Sequence, residues 1–235
     1  MLKTNLAVLM AERGLKISDL YEATGISKTT LMAIADNTGK GIQYDTVDKL
    51  CNYLNVSPTE FFIYAPFLVT ISEAVFRNND YLYNFLCNVK SGEQESNYNV
   101  AAQYYGKDCE TAADDLNDVY KDLSRFDFVI YSEIQANDFN DGESFFRFYK
   151  SLPIQFQNTL KDRLFSKMID YANGEDGKYI SSFDKENNKP TFPKFSSYLE
   201  SKENISVLFV LARYKKNNIY VEKHLKVKDG KIIYK

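Results

Sequence analysis

Apolar side chains recur every three or four positions through residues 6–54, the spacing of helices that bury one face. Leu6, Leu9 and Met10 mark a first helix that ends near Arg13-Gly14, and Leu20 and Tyr21 mark a second. Thr24-Gly25 then supplies a turn, because glycine enters left-handed backbone without a Cβ penalty. Ile26 inserts inward. Ser27 is placed to cap a third helix by accepting from its first amides. On that helix Leu31 and Ile34 face the interior, so Lys28, Thr29, Met32 and Ala33 point away from it. A fourth helix from about Asp45 carries Val47, Leu50, Cys51 and Leu54. Ser57-Pro58-Thr59-Glu60 opens a fifth as a capping box with proline at the first helical position.

Beyond Tyr64-Ala65-Pro66 the pattern changes. Residues 67–76, 81–89, 98–105 and 126–135 are rich in aromatic and β-branched side chains and read as strands, although 81–89 is also compatible with a helix. Residues 109–124 and 154–172 read as helices, the second with Leu160, Leu164, Met168 and Tyr171 at helical spacing and an end at Gly174. The chain finishes in three strands, Ile205 to Arg213, Ile219 to Val227 and Lys231 to Tyr234. Lys216-Asn217-Asn218 and Lys228-Asp229-Gly230 separate them, and Asp-Gly favours a tight hairpin, so an antiparallel meander is expected. The predicted organisation is an all-α five-helix bundle at 1–64, then an α+β domain with an antiparallel sheet at 65–235. No Gly/Ser-rich linker separates them.

The first block resembles the Cro- and repressor-like (Xre-type) helix-turn-helix family of phage and bacterial regulators over residues 3–64. ATGISKTTL matches the turn and recognition helix, and GKGIQYDTVDKLCNYLNVSPTEFF matches the last two helices. The resemblance implies a helical bundle that acts on double-stranded DNA, usually as a homodimer. By position it implies that Lys28, Thr29 and Ala33 face base edges and that Ser27, Asn37, Thr38 and Lys40 lie near phosphates. Thr30 joins this set, either contacting the backbone or packing partly inward. Two departures from the family pattern stand out. Lys16 and Ile17 stand where a small cap and a glutamine are common, and Ala35 replaces a glutamate near the end of the recognition helix. Ile17 has no group to make the glutamine's hydrogen bonds.

Charge changes the picture. Residues 1–64 hold six basic and seven acidic side chains, a balance of −1, against the basic footprint of a strong DNA binder. Residues 93–141 balance to −9 and residues 205–235 to +6. Such tracts are ordinarily solvated surfaces. They could instead meet within or between subunits, or the terminal meander could form a second nucleic-acid patch.

Candidate chemistry is sparse. Cys51, Cys87 and Cys109 are odd in number and lack CxxC spacing, as expected for reduced thiols in a cytoplasmic protein. The single histidine, His224, lies in a predicted strand among charged neighbours and reads as a surface residue. Residues 137–142 have the outline of a calcium loop, but Phe139 occupies a ligand position and the closing glutamate is missing. No zinc spacing, GxSxG, P-loop or GxGxxG is present, and no cofactor or metal is expected. The start of the chain is too polar for an export signal, and the longest apolar run, Val207 to Ala212, is far below the ~18 residues of a membrane span. The expectation is therefore a non-enzymatic transcriptional regulator of bacterial or phage type. Its 65–235 domain would serve dimerisation, a small ligand or a protein partner. The alternative is a protein-interaction control factor that uses the bundle as a scaffold without binding DNA.

Overall fold

The structure is a computed structural model that describes residues 1–74, 83–107, 123–135, 141–174, 179–184, 186–187, 189–212 and 219–234. The chain divides into two compact units, Met1–Phe67 and Leu68–Lys235.

The first unit contains α1 (Leu6–Glu12), α2 (Ile17–Thr24), α3 (Lys28–Ala35), α4 (Tyr44–Leu54) and α5 (Pro58–Phe61). Leu6, Leu20, Leu31, Leu50 and Phe61 are fully buried at their centre, with Leu9, Met10, Ile34, Cys51 and Leu54 beside them. Each such side chain contributes about 1.5–3 kcal/mol through removal from water. Local signals fix the boundaries. Gly25 (φ 70°) and Asn55 (φ 52°) end α2 and α4 in left-handed backbone. The Glu60 carboxylate accepts from the Ser57 N–H at 2.7 Å at the start of α5. Strand β1 (Leu2–Thr4) pairs antiparallel with β2 (Phe62–Tyr64), Leu2 opposite Tyr64, and ties the two ends of the unit together. The Met1 ammonium donates to the carbonyls of Ala65 and Phe67 next to this pair.

The second unit is built on seven strands: β3 (Leu68–Ala74), β4 (Tyr83–Ser91), β5 (Gln94–Gly106), β6 (Phe128–Gln135), β9 (Asn204–Ala212), β10 (Ile219–Lys228) and β11 (Lys231–Ile233). Their order is β11-β10-β9-β6-β5-β4-β3. Helices α6 (Asp141–Ser151), α7 (Ile154–Ala172) and α8 (Phe195–Leu199) and the small hairpin β7 (Ser182–Asp184) and β8 (Lys189–Thr191) lie in sequence between β6 and β9. Phe156, Leu160, Leu164, Phe165, Met168 and Ile169 form the buried stripe of α7. The Tyr104 hydroxyl in β5 donates to the Met168 carbonyl at 2.8 Å, which pins this helix to the sheet.

This architecture corrects the expected fold class, an all-α bundle followed by an α+β domain with an antiparallel sheet. The first unit is not all-α, because β1 and β2 close it. The seven-stranded sheet is mixed, because β6 and β9 run parallel, Phe128 beside Val207 through Glu133 beside Ala212. A parallel pair needs a long crossover, which the α6–α8 region supplies. Local periodicity registers only the hairpins on either side. The meander β9-β10-β11 is antiparallel as expected, and the described part of 81–89 is strand. Helix α6 has no counterpart in the sequence reading. Residues 109–122 of the expected helix 109–124, with Cys109, lie outside the described residues, as do 137–140 and the turn 216–218. No helix among the described residues is long and apolar enough to cross a membrane.

Candidate nucleic-acid interface

Helix α3 follows α2 across the turn Gly25-Ile26-Ser27 and lies against α1 and α2 through buried Leu31 and Ile34. Its opposite face is solvent-exposed. Ser27 caps it: the Thr30 N–H donates to Ser27 Oγ at 3.2 Å, and the two hydroxyls lie 2.9 Å apart. The amides of Lys28 and Thr29 sit at the first two helical positions, where no intrahelical acceptor exists, and point out of the helix start. A phosphate or other anion is favoured at such an end by those N–H groups and by the helix dipole.

The expected site residues fall into two groups at opposite ends of α3, roughly 12 Å apart for eight residues at 1.5 Å each. Ser27, Lys28, Thr29 and Thr30 form the exposed first turn. The Lys28 ammonium rests over the ring of Tyr21, 5.4 Å from its centroid, a contact that holds the side chain on the outer surface. Thr30 is exposed, but its hydroxyl is shared with the cap. At the other end, Ala33, Asn37 and Lys40 line a shallow cavity of about 280 Å³ together with Lys3 and Thr4. Lys40 and Thr38 are exposed there. Asn37 is different. Its side chain is half-buried and bonded to Thr4, so its amide is directed at β1.

The exposed face of α3 extends beyond the expected site residues to Met32 and, on α2, to Tyr21. Met32 is 53% exposed and lies four residues after Lys28, on the same helical face; Tyr21 is 45% exposed beneath Lys28. An exposed methionine between Lys28 and Asp36 was the available signal. It adds an apolar group of the kind that packs on a thymine methyl. The outer face of α3 therefore offers one cation, hydroxyls, a thioether and open helix-start amides, a mixture suited to a groove edge rather than to chemistry. Among the described residues no group of three or more His, Cys, Asp or Glu side chains could hold a metal ion.

Ile17, at the place where a glutamine is common, is partly buried and packs on the core of the unit. The start of α2 is served instead by Asp19, whose carboxylate accepts from the Lys16 N–H at 2.8 Å.

Residues 5–66 match the family model of the Cro/C1-type helix-turn-helix DNA-binding domain. The comparison with curated proteins and that with solved structures each gave no match.

Proposed function

With a Cro/C1-type helix-turn-helix DNA-binding domain at residues 5–66 as the premise, we propose that the chain is a transcriptional regulator of bacterial or phage type. It acts in the cytoplasm and binds operator DNA as a homodimer. The observation that carries this is the exposed first turn of α3, where Ser27 caps the helix and Lys28 and Thr29 stand beside two open amides. In this assignment Lys28, Thr29, Met32 and Ala33 meet base edges, while Ser27, Thr38 and Lys40 approach phosphates. The −1 balance of residues 1–64 supports the dimer: one copy offers few phosphate contacts, whereas two linked copies turn the second docking into an intramolecular event. The unit 68–235 is assigned to holding the copies together or to binding a partner or small ligand, with no catalytic role.

Selection of duplexes bound by the full chain, followed by mobility shift at two salt concentrations, tests the proposal. Expected is salt-sensitive binding to a two-fold site with half-sites about 34 Å apart, and light scattering at twice the monomer mass. Absence of any duplex binding at low salt overturns it in favour of a protein-interaction module.

A further inference from the structure

The last hairpin divides its charged side chains by face. On β10 the odd-numbered positions turn toward the helices: the Lys223 ammonium lies 3.3 Å from the Asp162 carboxylate of α7 and over the ring of Tyr234. The even-numbered positions turn the other way, and Glu222, His224, Lys226 and Lys228 are all exposed. Glu222 is engaged by Arg125. Lys226, Lys228 and, on β11, Lys231 have no ion-pair partner among the described residues.

The register concentrates these cations. Lys228 stands directly opposite Lys231, and Lys226 is opposite Ile233 one step along the same face. Like charges directly opposite in a sheet are destabilising, and an anion seated on them relieves that cost. The backbone beneath is fixed. Asn173, at the end of α7, donates to the Ile232 carbonyl and accepts from the Ile232 N–H, both at 2.9 Å. Asp229 (φ 53°) and Gly230 (φ 67°) form a turn with both central residues left-handed, matched to strand twist. The Val227 N–H donates to the Glu203 carbonyl at 2.8 Å.

Resting on the assignment of the chain as a duplex-DNA binder, we infer that this face, with Lys226, Lys228, Lys231 and His224, is a second contact to the DNA phosphate backbone. From residue 224 to residue 228 the strand covers roughly 14 Å at ~3.4 Å per residue, the length over which one DNA strand presents about four phosphates. The exposed positions carry no Phe, Tyr or Trp, so the face offers no broad platform for stacking single-stranded bases, and the contact is blind to sequence. It supplies the phosphate neutralisation that residues 1–64, at −1, lack.

The test compares the full chain with a triple variant, Lys226→Ala, Lys228→Ala and Lys231→Ala, on a selected duplex and on random duplex across a salt series. Three lost cations per copy, six in the bound dimer, should lower the slope of log affinity against log salt by about 5. Affinity for both duplexes should fall by the same factor, leaving their ratio intact. The corresponding triple arginine variant should keep the wild-type slope. Alanine at Lys90, Lys150 and Lys189, exposed lysines elsewhere on the same unit, should also keep it. An unchanged slope in the first variant, or an equal fall in the third, overturns the second contact while leaving the helix-turn-helix assignment standing. A wild-type chain that binds neither duplex overturns that assignment, and the second contact with it.

Discussion

Asn37 holds Thr4 by both of its backbone groups: Oδ1 accepts from the Thr4 N–H at 2.7 Å, and Nδ2 donates to the Thr4 carbonyl at 3.1 Å. The side-chain amide thus behaves as one residue of a strand beside β1, aimed there by left-handed backbone at φ 55°. The Thr4 hydroxyl completes the link by donating to the Ile34 carbonyl at 2.6 Å. The far end of α3 is fixed in this way to the strand that closes the unit.

Asn37→Ala removes both bonds and leaves a residue with no local support in the left-handed region. The expected loss is about 2–4 kcal/mol for the first unit. Urea unfolding followed by amide exchange of residues 1–67 measures it; a wild-type midpoint would contradict the assignment.

Ile17→Gln restores the glutamine common in the family, but at a position packed on the core. Burying an amide there in place of an aliphatic chain should lower stability by roughly 1–2 kcal/mol, with no gain in affinity for a selected duplex. Tighter binding at undiminished melting temperature would show that the side chain faces DNA.

Lys28→Ala should leave the melting temperature within error, since the side chain is exposed, and should cost ~1–3 kcal/mol of specific binding. Titrating selected and random duplexes separates this from a general loss of charge. If the ratio of the two affinities does not move, Lys28 reads no base.

Asp127 immediately precedes β6. Burial alone would raise its pKa, but the Ser206 N–H at 2.8 Å, the Lys202 ammonium at 3.1 Å and the Ser206 hydroxyl at 2.9 Å outweigh burial and hold the carboxyl below its ordinary value. Since the folded pKa is the lower one, the stabilisation is complete above the unfolded value of ~3.9 and is lost as pH falls through the folded value. Denaturation midpoints between pH 7 and pH 3 should therefore fall less steeply in Asp127→Asn. Parallel profiles would rule out this contribution.

Burial pushes the Cys87 thiol up to about 12, against a smaller opposing pull from Arg163. Its side chain is fully enclosed. At pH 8 it should resist iodoacetamide in the native state and react on unfolding, as peptide mass mapping would record. Native labelling at the unfolded rate would mean that β4 opens locally.

Much of the first unit was legible because its information is local. Gly25, Ser27 and the Ser57–Glu60 pair each announce a boundary within four residues, and Leu31 and Ile34 fix which way α3 faces. What escaped depends on partners far away in sequence. The pairing of Leu2 with Tyr64 and the bonding of Asn37 to Thr4 are invisible to periodicity. In the second unit Ile205 and Phe128 each read as strand, yet nothing in either segment says that β6 and β9 are neighbours, or that they run the same way. For α6, the crowded aromatics of Ser144-Phe145-Phe146-Arg147-Phe148-Tyr149 mask its helical period. The lysines of β10 and β11 were legible as charge, but only the register shows that three of them share one face.

The parallel seam between β6 and β9 also sets a timetable for synthesis. β3, β4, β5 and β6 form an antiparallel run that can zip up as it leaves the ribosome, but the other neighbour of β6 begins at Asn204, roughly 70 residues later. At ~5–20 residues per second, β6 waits several seconds with one row of N–H and C=O groups unclaimed. During that interval the nascent chain carries an open strand edge lined by Phe128, Ile130 and Ile134, all buried in the finished fold. Any strand that reaches it first competes with β9, so the yield of native protein depends on how fast residues 136–212 arrive.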